Sequence, residues 1–311
     1  MKRDIQKLFR EFVYEYEFVK RARKDTLRGY ISTFNLFLKL CPSITLETLS
    51  SGTIVSFFKI LHERKKLFAK GTVKIGVKKS TLATYWSKLN TFFKWLQSKQ
   101  YITENPFATL QYPTPSFDDK QFLRKEEIEK IITAIHTHHD NNLFILKRNL
   151  VLFYILLFCG LRREEVMLLQ VRDIDFEKKI LTVRSETSKS GRSRQLPLHS
   201  TCIMHLKDYL NARKDYTTPN LLVSSKRDEP LTYAGLKHLI ERIKTASGVT
   251  FHVHQFRHTF AVNFLKNSRD IAKLKQLMGH KSIAMTLSYL RCLPTDELRA
   301  DIETMSIDNL M

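Results

Sequence analysis

The sequence predicts a mainly α-helical protein of two domains, the second of which carries a small antiparallel β-sheet. Three observations lead to this prediction. Apolar residues recur at helical spacing through much of the chain. A proline-rich stretch, ENPFATLQYPTPSF at 104–117, interrupts them. Strand-like runs follow in the second half. We therefore expect domains at residues 1–112 and 119–311, joined by an extended linker at 113–118.

Four helical stripes fill the first domain, at 4–22, 25–40, 48–63 and 80–100. Their inward-facing residues are rich in Phe, Tyr and Trp, which predicts a small bundle with an aromatic core. A basic segment at 64–79 separates the third helix from the fourth and contains no acidic residue. A solvated loop is the plain interpretation, but the total charge of the protein favours contacts to phosphates. Its basic residues are Arg64, Lys65, Lys66, Lys70, Lys74, Lys78 and Lys79.

The second domain alternates helical and strand-like segments. Helices are predicted at 125–136, 143–159, 163–169, 232–246, 255–267, 270–278 and 283–290, and strands at 180–184, 195–198 and 220–224. Beyond Pro294, a tail at 295–311 has helical spacing and a net charge of −4, from five acidic residues and one Arg. Such an acidic tail is poorly suited to bind a polyanion, and its apolar stripe needs a partner surface, on its own domain or on a second protomer.

The chain is strongly basic. It has 52 Lys and Arg against 31 Asp and Glu, a net charge of +21. Residues 1–112 hold +13 of this (21 minus 8) and the other 199 residues hold +8 (31 minus 23). A polyanionic partner is therefore expected, although charge alone leaves nucleic acid, a membrane surface and the ribosome open.

Other features favour a cytoplasmic protein. Four cysteines lie far apart and form no C-x-x-C motif, which is typical of reduced thiols. The longest apolar run, Leu150 to Cys159, has ten residues and is too short to span a bilayer. The start, MKRDIQK, lacks the apolar core of a signal peptide. The HTHHD segment at 136–140 lacks the partner residues of a zinc site, so a solvated helix end is favoured.

Chemistry-bearing residues concentrate near the C-terminus. His254 and Arg257 share one helical face, and His280 follows Gly279, a predicted helix end. Tyr289 lies nine residues further on. Arg162, in CGLRREEV, and Lys189, in TSKSGRSRQLPL, complete the set.

Such a set suits transfer at a phosphodiester. Two Arg residues can hold the non-bridging oxygens and stabilise the charge of the transition state. A Tyr hydroxyl can be the nucleophile, and a Lys can protonate the leaving oxygen. No metal is required, because fixed cations supply the charge.

Each residue alone has a structural interpretation. Arg162 can be a surface residue, Lys189 a solvated hairpin lysine, and His254 or Tyr289 a member of the core. His258 is predicted to be a core histidine, because it lies off the face shared by His254 and Arg257.

Considered together, these motifs resemble those of the tyrosine recombinase (phage integrase) family, and the layout is similar to its Xer-like and integrase members. The resemblance covers roughly residues 4 to 300. Met278 replaces the Leu of the Leu-Gly-His box, Cys159 replaces a common Thr, and Ser188 and Ser190 flank the lysine where Gly is common. The matched positions are Arg162 and Glu165 of G-L-R-x-x-E, Lys189 with Arg194, Pro197 and Leu198, His254 and Arg257 of H-x-x-R, and Gly279, His280 and Tyr289.

The resemblance implies a mechanism. Tyr289 would attack the scissile phosphate, form a 3′-phosphotyrosyl link and release a 5′-hydroxyl, without ATP, metal or another cofactor. Arg162, Arg257 and His280 would stabilise the phosphorane, and Lys189 would protonate the leaving oxygen. Lesser roles are expected for His254 (proton transfer with Tyr289), for Glu165 (support of Arg162 or a histidine), and for Arg192 and Arg194 (DNA contacts).

The resemblance also implies an assembly. A SAM-like core-binding domain and the catalytic domain would close around double-stranded DNA. Four protomers, or two pairs with a related second recombinase, would act on two DNA sites, and each tail helix would dock on the neighbouring protomer. Two alternatives stay open: a type IB topoisomerase that relaxes supercoils, and a DNA-binding protein without catalysis.

Overall fold

The computed structural model is mainly helical with one small three-stranded sheet, which confirms the predicted fold class. The structure describes residues 4–67, 73–113, 122–188 and 190–292; for residues 66, 67 and 74 it describes the backbone only. The chain divides into two compact units, Met1–Phe117 and Asp118–Met311.

Unit 1 contains the four expected helices, with bounds that differ by a few residues. They are α1 (Ile5–Tyr14, continued by a π-helical turn at Glu15–Val19), α2 (Lys24–Leu40), α3 (Ser51–Glu63) and α4 (Lys79–Ser98). The side chains of Asp4 and Ser50 cap α1 and α3 by accepting hydrogen bonds from backbone N–H groups. Phe9 stacks on Phe34 with ring centroids 3.8 Å apart and meets the edge of Phe92, as expected for an aromatic core.

The basic segment of unit 1 is not a simple loop. Strands β1 (Lys65–Leu67) and β2 (Val73–Ile75) pair antiparallel, with Lys65 opposite Ile75. Alternating basic and apolar residues are compatible with an exposed two-stranded ribbon, and the sequence prediction missed this pattern. Of the basic side chains that the structure describes in this segment, Lys65, Lys78 and Lys79 are exposed, and Arg64 is half-buried. Lys70 lies outside the described residues.

Unit 2 is built around α6. Its helices are α5 (Lys125–Thr137), α6 (Leu143–Cys159), α7 (Arg163–Met167), α8 (Ser200–Ala212), α9 (Tyr233–Ser247), α10 (Val253–Ser268), α11 (Ile271–Met278) and α12 (Ala284–Leu287). Helix α6 lies in the core along most of its length, and α8 packs against it. Helix α8 was absent from the sequence prediction, although Cys202, Leu206 and Tyr209 form its buried stripe at helical spacing.

The sheet has the order β3 (Ile174–Asp175), β4 (Ile180–Val183) and β5 (Arg194–Pro197), with both pairs antiparallel. The predicted strand at 220–224 is wrong. That segment makes only isolated bridges, Gln170 with Asn220 and Val223 with Pro230. Its apolar residues are all buried, and the Tyr209 hydroxyl donates to the Leu221 carbonyl at 3.0 Å. Core packing of a loop therefore explains the apolar run.

The chain after α10 runs in short pieces. Helix α11 ends at Gly279 in the left-handed conformation, with φ of 60°. Helix α12 is shorter than the expected 283–290, and a single 3₁₀ turn follows at Leu290–Cys292. The tail at 295–311, with its expected docking helix, lies outside the described residues. No helix in the described ranges is long and apolar enough to cross a membrane.

Candidate active site

Arg162 lies between α6 and α7 as the N-cap of α7. Its backbone N–H donates to Glu165 Oε2 at 2.9 Å, and its guanidinium donates to Glu165 Oε1 at 2.8 Å. The same guanidinium reaches the Gly279 carbonyl at 3.3 Å. The spacing R-x-x-E therefore closes one turn of helix and aims the guanidinium at the end of α11.

Arg194, on β5, binds the same carboxylate, that of Glu165, through its guanidinium. It donates to Glu165 Oε1 at 3.0 Å and Oε2 at 2.7 Å, and its Nε donates to the Leu277 carbonyl at 2.8 Å. Its side chain is 7% exposed. The expectation that Arg194 contacts DNA is therefore wrong, because the guanidinium is buried and committed to Glu165.

Glu165 is the acceptor at the centre of this network. It is 1% exposed and receives four hydrogen bonds through its two oxygens. Burial alone would raise the pKa of the carboxyl, but the hydrogen bonds and charges of Arg194 and Arg162 lower it to about 2. Glu165 is thus ionised at neutral pH and holds two guanidinium groups beside each other.

Arg257, on α10, is held by backbone carbonyls. It is 1% exposed, and it donates to the carbonyls of Gly160 and Met278, each at 2.6 Å. Burial and then the charge of Arg162 lower the pKa of Arg257 to about 9. The guanidinium therefore stays charged at neutral pH, and its two bonds to described residues use two of its five N–H donors.

The last carbonyls of α11 explain how these arginines converge. Leu277, Met278 and Gly279 are consecutive, and their carbonyls accept from Arg194, Arg257 and Arg162 in turn. Such carbonyls have no partner within the helix, and a helix C-terminus attracts cations. A side chain at position 279 would approach Arg194 to 3.1 Å and would have to adopt a positive φ, so glycine is favoured there.

Tyr289 lies between α12 and the final 3₁₀ turn, and it is 2% exposed. Its hydroxyl is 2.9 Å from Nδ1 of His258, which is on α10 one residue after Arg257. The interpretation of His258 as a core histidine is wrong, because the residue is only half-buried. His258 does not share a face with its direct neighbour Arg257. It lies four residues after His254, about one helical turn, and so shares the face of His254.

Two further histidines lie close to this pair. His254 is exposed, and its ring meets that of His258 edge to face at 4.5 Å between centroids. His280, directly after Gly279, is 9% exposed. Its ring lies parallel to that of Tyr289, with 6.3 Å between the ring centroids. Nδ1 of His280 is 2.9 Å from the hydroxyl of Thr286, a buried residue of α12 that the sequence did not single out.

The phenol of Tyr289 is in the electrostatic field of the arginines. Burial raises the pKa of Tyr289 to about 12, and the positive charges of Arg257 and Arg162 oppose this increase. The fold thus brings together five of the six expected catalytic residues; the sixth, Lys189, lies outside the described residues. Arg192 is exposed near the end of the β4–β5 connection.

The arrangement suits phosphoryl transfer by a tyrosine. Fixed guanidinium groups beside a phenol can hold a phosphate and stabilise its developing charge. In the part of the chain that is described, no group of three or more His, Cys, Asp or Glu residues could hold a metal ion.

Comparison with known sequences agrees with this chemistry. A model of the phage integrase family matches residues 121–295, more than half of the chain. The tyrosine recombinase XerC of Bacillus pumilus (strain SAFR-032) is 25% identical over 303 residues, which is 94% of each chain. That of Bacillus subtilis (strain 168) is 24% identical over 297 residues, 92% of each chain.

Solved structures show the same fold. The Tn1549 transposon integrase in complex with transposon right end DNA has a TM-score of 0.77 at 18% identity, covering 97% of this chain and 99% of its own. The XerH recombinase bound to palindromic difH substrate has a TM-score of 0.72 at 21% identity, covering 88% and 78%. A lambda integrase dimer bound to a COC′ core site has a TM-score of 0.70 at 19% identity, covering 92% and 95%.

Proposed function

The chain belongs to the phage integrase family of tyrosine recombinases, and we propose that Arg162, Arg257 and Tyr289 form the centre of its catalytic site. The protein is a site-specific DNA recombinase that cuts and rejoins duplex DNA through a 3′-phosphotyrosyl intermediate. One observation carries the assignment of the site: Arg257 and Arg162 donate to the consecutive carbonyls of Met278 and Gly279, and the ring of the next residue, His280, lies parallel to that of Tyr289.

In this proposal the arginines bind the scissile phosphate. Arg162 and Arg257 donate to its non-bridging oxygens with N–H groups other than those that bind described residues, and His280 adds a third donor. Tyr289 attacks phosphorus, and the 5′-oxygen leaves with a proton from Lys189. His254 assists proton transfer at Tyr289, and Glu165 supports the two guanidinium groups around it. The positive charge comes from side chains, so the reaction needs no cofactor.

The basic ribbon of unit 1 is proposed to bind the DNA backbone. Lys65, Lys78 and Lys79 are exposed, and Arg64 lies beside them in sequence. Lys66, Lys70 and Lys74 would add to this contact. Arg192, in the second unit, would make a contact of its own with the DNA backbone. Residues 1–112 would thus act as a DNA-binding domain and 119–311 as the catalytic domain, with 113–118 as linker. Contacts of this kind are independent of DNA sequence and weaken with salt.

A tetramer on two DNA sites is the proposed assembly, alone or with a related second recombinase. Each protomer supplies one nucleophile, Tyr289, whereas exchange between two duplexes requires four strands to be cut. The acidic tail at 295–311, with a net charge of −4, is complementary to the basic surface of a second protomer. Action on chromosomal or mobile-element DNA would place the protein in the cytoplasm, in keeping with its four free cysteines.

Covalent trapping tests the catalytic assignment and identifies the DNA site in the same experiment. Wild-type protein is incubated with sheared genomic DNA of the source organism, quenched in denaturant, and the protein-linked DNA is sequenced. We expect a recurrent site, recovered also in the presence of EDTA. Tyr289→Phe keeps the packing of the ring and removes the nucleophile, so it should recover none while binding the same site normally. Covalent DNA in the Phe variant would reject the assignment.

A further inference from the structure

We propose that His258 is the general base that removes the proton from Tyr289 during cleavage and returns it during rejoining. This inference rests on the proposed function, because it assumes that Tyr289 is the nucleophile. It assigns a role to a histidine that the H-x-x-R motif does not include.

The geometry carries the proposal. Nδ1 of His258 lies 2.9 Å from the Tyr289 hydroxyl, which is within the distance of a strong hydrogen bond and of direct proton transfer. The imidazole projects from α10, where it is fixed between the ring of His254 and the ring of Tyr289. A base on a long helix is held more firmly than the nucleophile, which lies on a short segment.

The burial of Tyr289 makes such a base necessary. A phenol with a pKa of about 12 is ionised only to about one part in 10⁵ at pH 7. The arginines stabilise the phenolate but accept no proton. A positioned base typically contributes about 10²- to 10⁴-fold to rate. Of the groups around the hydroxyl, an imidazole has the unperturbed pKa that suits this task at neutral pH.

The proton and electron balance is simple. The Tyr289 O–H bond breaks and its proton moves to Nδ1 of His258, while the phenol oxygen forms a bond to phosphorus. The bond from phosphorus to the 5′-oxygen breaks, and that oxygen takes a separate proton from Lys189. Rejoining reverses both transfers. Nδ1 must be unprotonated before cleavage, so the proton of the neutral imidazole lies on Nε2.

His254 would assist this proton transfer through His258. It is the more exposed of the two rings and packs against His258 edge to face. It would position His258 and respond to its charge. The other titratable groups that the structure describes around the pair include Arg257 on α10, Arg162 before α7, His280 after α11 and Cys292 in the last 3₁₀ turn.

A purely structural role for His258 makes the opposite prediction. In that case the hydrogen bond only holds Tyr289 in its buried position. An acceptor of similar shape would then preserve activity, and removal of the bond would leave cleavage unchanged or make it faster.

Two variants separate these roles. His258→Asn places an amide near the position of Nδ1, so it keeps a hydrogen-bond partner for the hydroxyl but cannot take a proton at neutral pH. His258→Ala removes both functions. His136→Asn, at an exposed position near the end of α5, is the matched control. All are tested for folding by thermal denaturation and for DNA affinity at the trapped site.

The measurement is the single-turnover rate of covalent complex formation on that site between pH 5.5 and 9. We expect His258→Asn and His258→Ala to be slower by about 10²-fold or more at pH 7. Their rates should keep rising with pH, because only solvent then removes the proton, whereas the wild-type rate should level off. Incorporation of a fluorinated tyrosine of lower pKa at position 289 should restore much of the lost rate.

The outcomes are distinct. Wild-type rate and pH profile in His258→Asn would overturn the role as base, and so would a slow variant that the fluorinated tyrosine fails to rescue. If wild-type protein forms no Tyr289-dependent covalent complex, the proposed function fails, independently of His258.

Discussion

The two halves of the candidate site are held in different ways. Arg162, Arg194 and Arg257 bind a buried carboxylate and three consecutive carbonyls at the end of α11, and Glu165 alone accepts four hydrogen bonds. The second half consists of Tyr289 and its histidines. Hydrogen bonds between side chains join Tyr289 with His258 and His280 with Thr286.

This difference divides the work of catalysis. The arginine half is preorganised, so it can meet a phosphate with little rearrangement. Tyr289 is 2% exposed and must reach the phosphorus atom, so its short segment has to adjust when DNA binds. We infer that phosphate recognition depends on a rigid network, whereas the timing of cleavage depends on the segment that carries the nucleophile.

Removing the charge of the Glu165 carboxylate, at the centre of the arginine half, should have the largest effect on stability. Glu165→Gln removes the negative charge that pairs with two buried guanidinium groups, and its NH₂ group faces their donors. We expect a loss of about 3–5 kcal/mol in the free energy of unfolding at pH 7. Urea denaturation of the variant and the wild type measures it.

The pH dependence of this loss follows from the pKa of Glu165. A carboxyl with a pKa of about 2 in the folded state and about 4.3 in the unfolded state contributes its full stabilisation above pH 5. That contribution disappears as pH falls through 2, so the difference between variant and wild type should shrink in this window. Glu164→Gln, at a half-exposed neighbouring position, is the control and should change stability by less than about 0.5 kcal/mol. Equal effects of the two changes would refute the proposed centre.

The second test asks whether the guanidinium of Arg257, with its several N–H donors, contributes to cleavage beyond its charge. Arg257→Lys keeps one positive charge but cannot bridge the carbonyls of Gly160 and Met278 while also binding a phosphate. We expect cleavage to slow by about 10²- to 10³-fold, with DNA affinity changed only a few-fold. The rate of covalent complex formation measures this, with Arg163→Lys, at an exposed site, as control. A lysine variant with near wild-type cleavage would show that charge alone is sufficient.

The difference between the arginine half and the half that carries Tyr289 also explains what the sequence could predict. The arginine positions follow from local patterns: R-x-x-E closes a helical turn at Arg162, and Gly279 ends a helix. The general order of helices and the hairpin of β4 and β5 follow from hydrophobic periodicity. Bounds were good where a capping residue or an αL glycine marks the end of a helix.

What sequence could not predict depends on tertiary distance. Arg194 is basic and near a hairpin, and nothing local indicates that it turns inward to Glu165. His258 could be assigned to Tyr289 only when α10 and the segment after α12 are packed together, 31 residues apart in sequence. The apolar run at 220–224 is typical of a strand, and only its contact with Tyr209 identifies it as a buried loop.

The smallest expected effect concerns the half that carries the nucleophile. Thr286 is fully buried on α12, and its hydroxyl is the partner of His280 Nδ1 at 2.9 Å. Thr286→Val keeps the shape and removes the hydroxyl, so the imidazole loses a hydrogen bond worth about 1 kcal/mol. The backbone of Tyr289 donates to the Thr286 carbonyl at 3.0 Å, a bond that valine preserves. The substitution therefore loosens His280 while it leaves the turn that carries Tyr289 in place.

We expect cleavage to slow by about 5- to 10-fold with DNA affinity unchanged, as measured in single-turnover assays. Thr286→Ser retains the hydroxyl and should stay close to wild type. If valine and serine behave alike, the hydroxyl has no part in orienting His280, and the two halves of the site differ less than we infer.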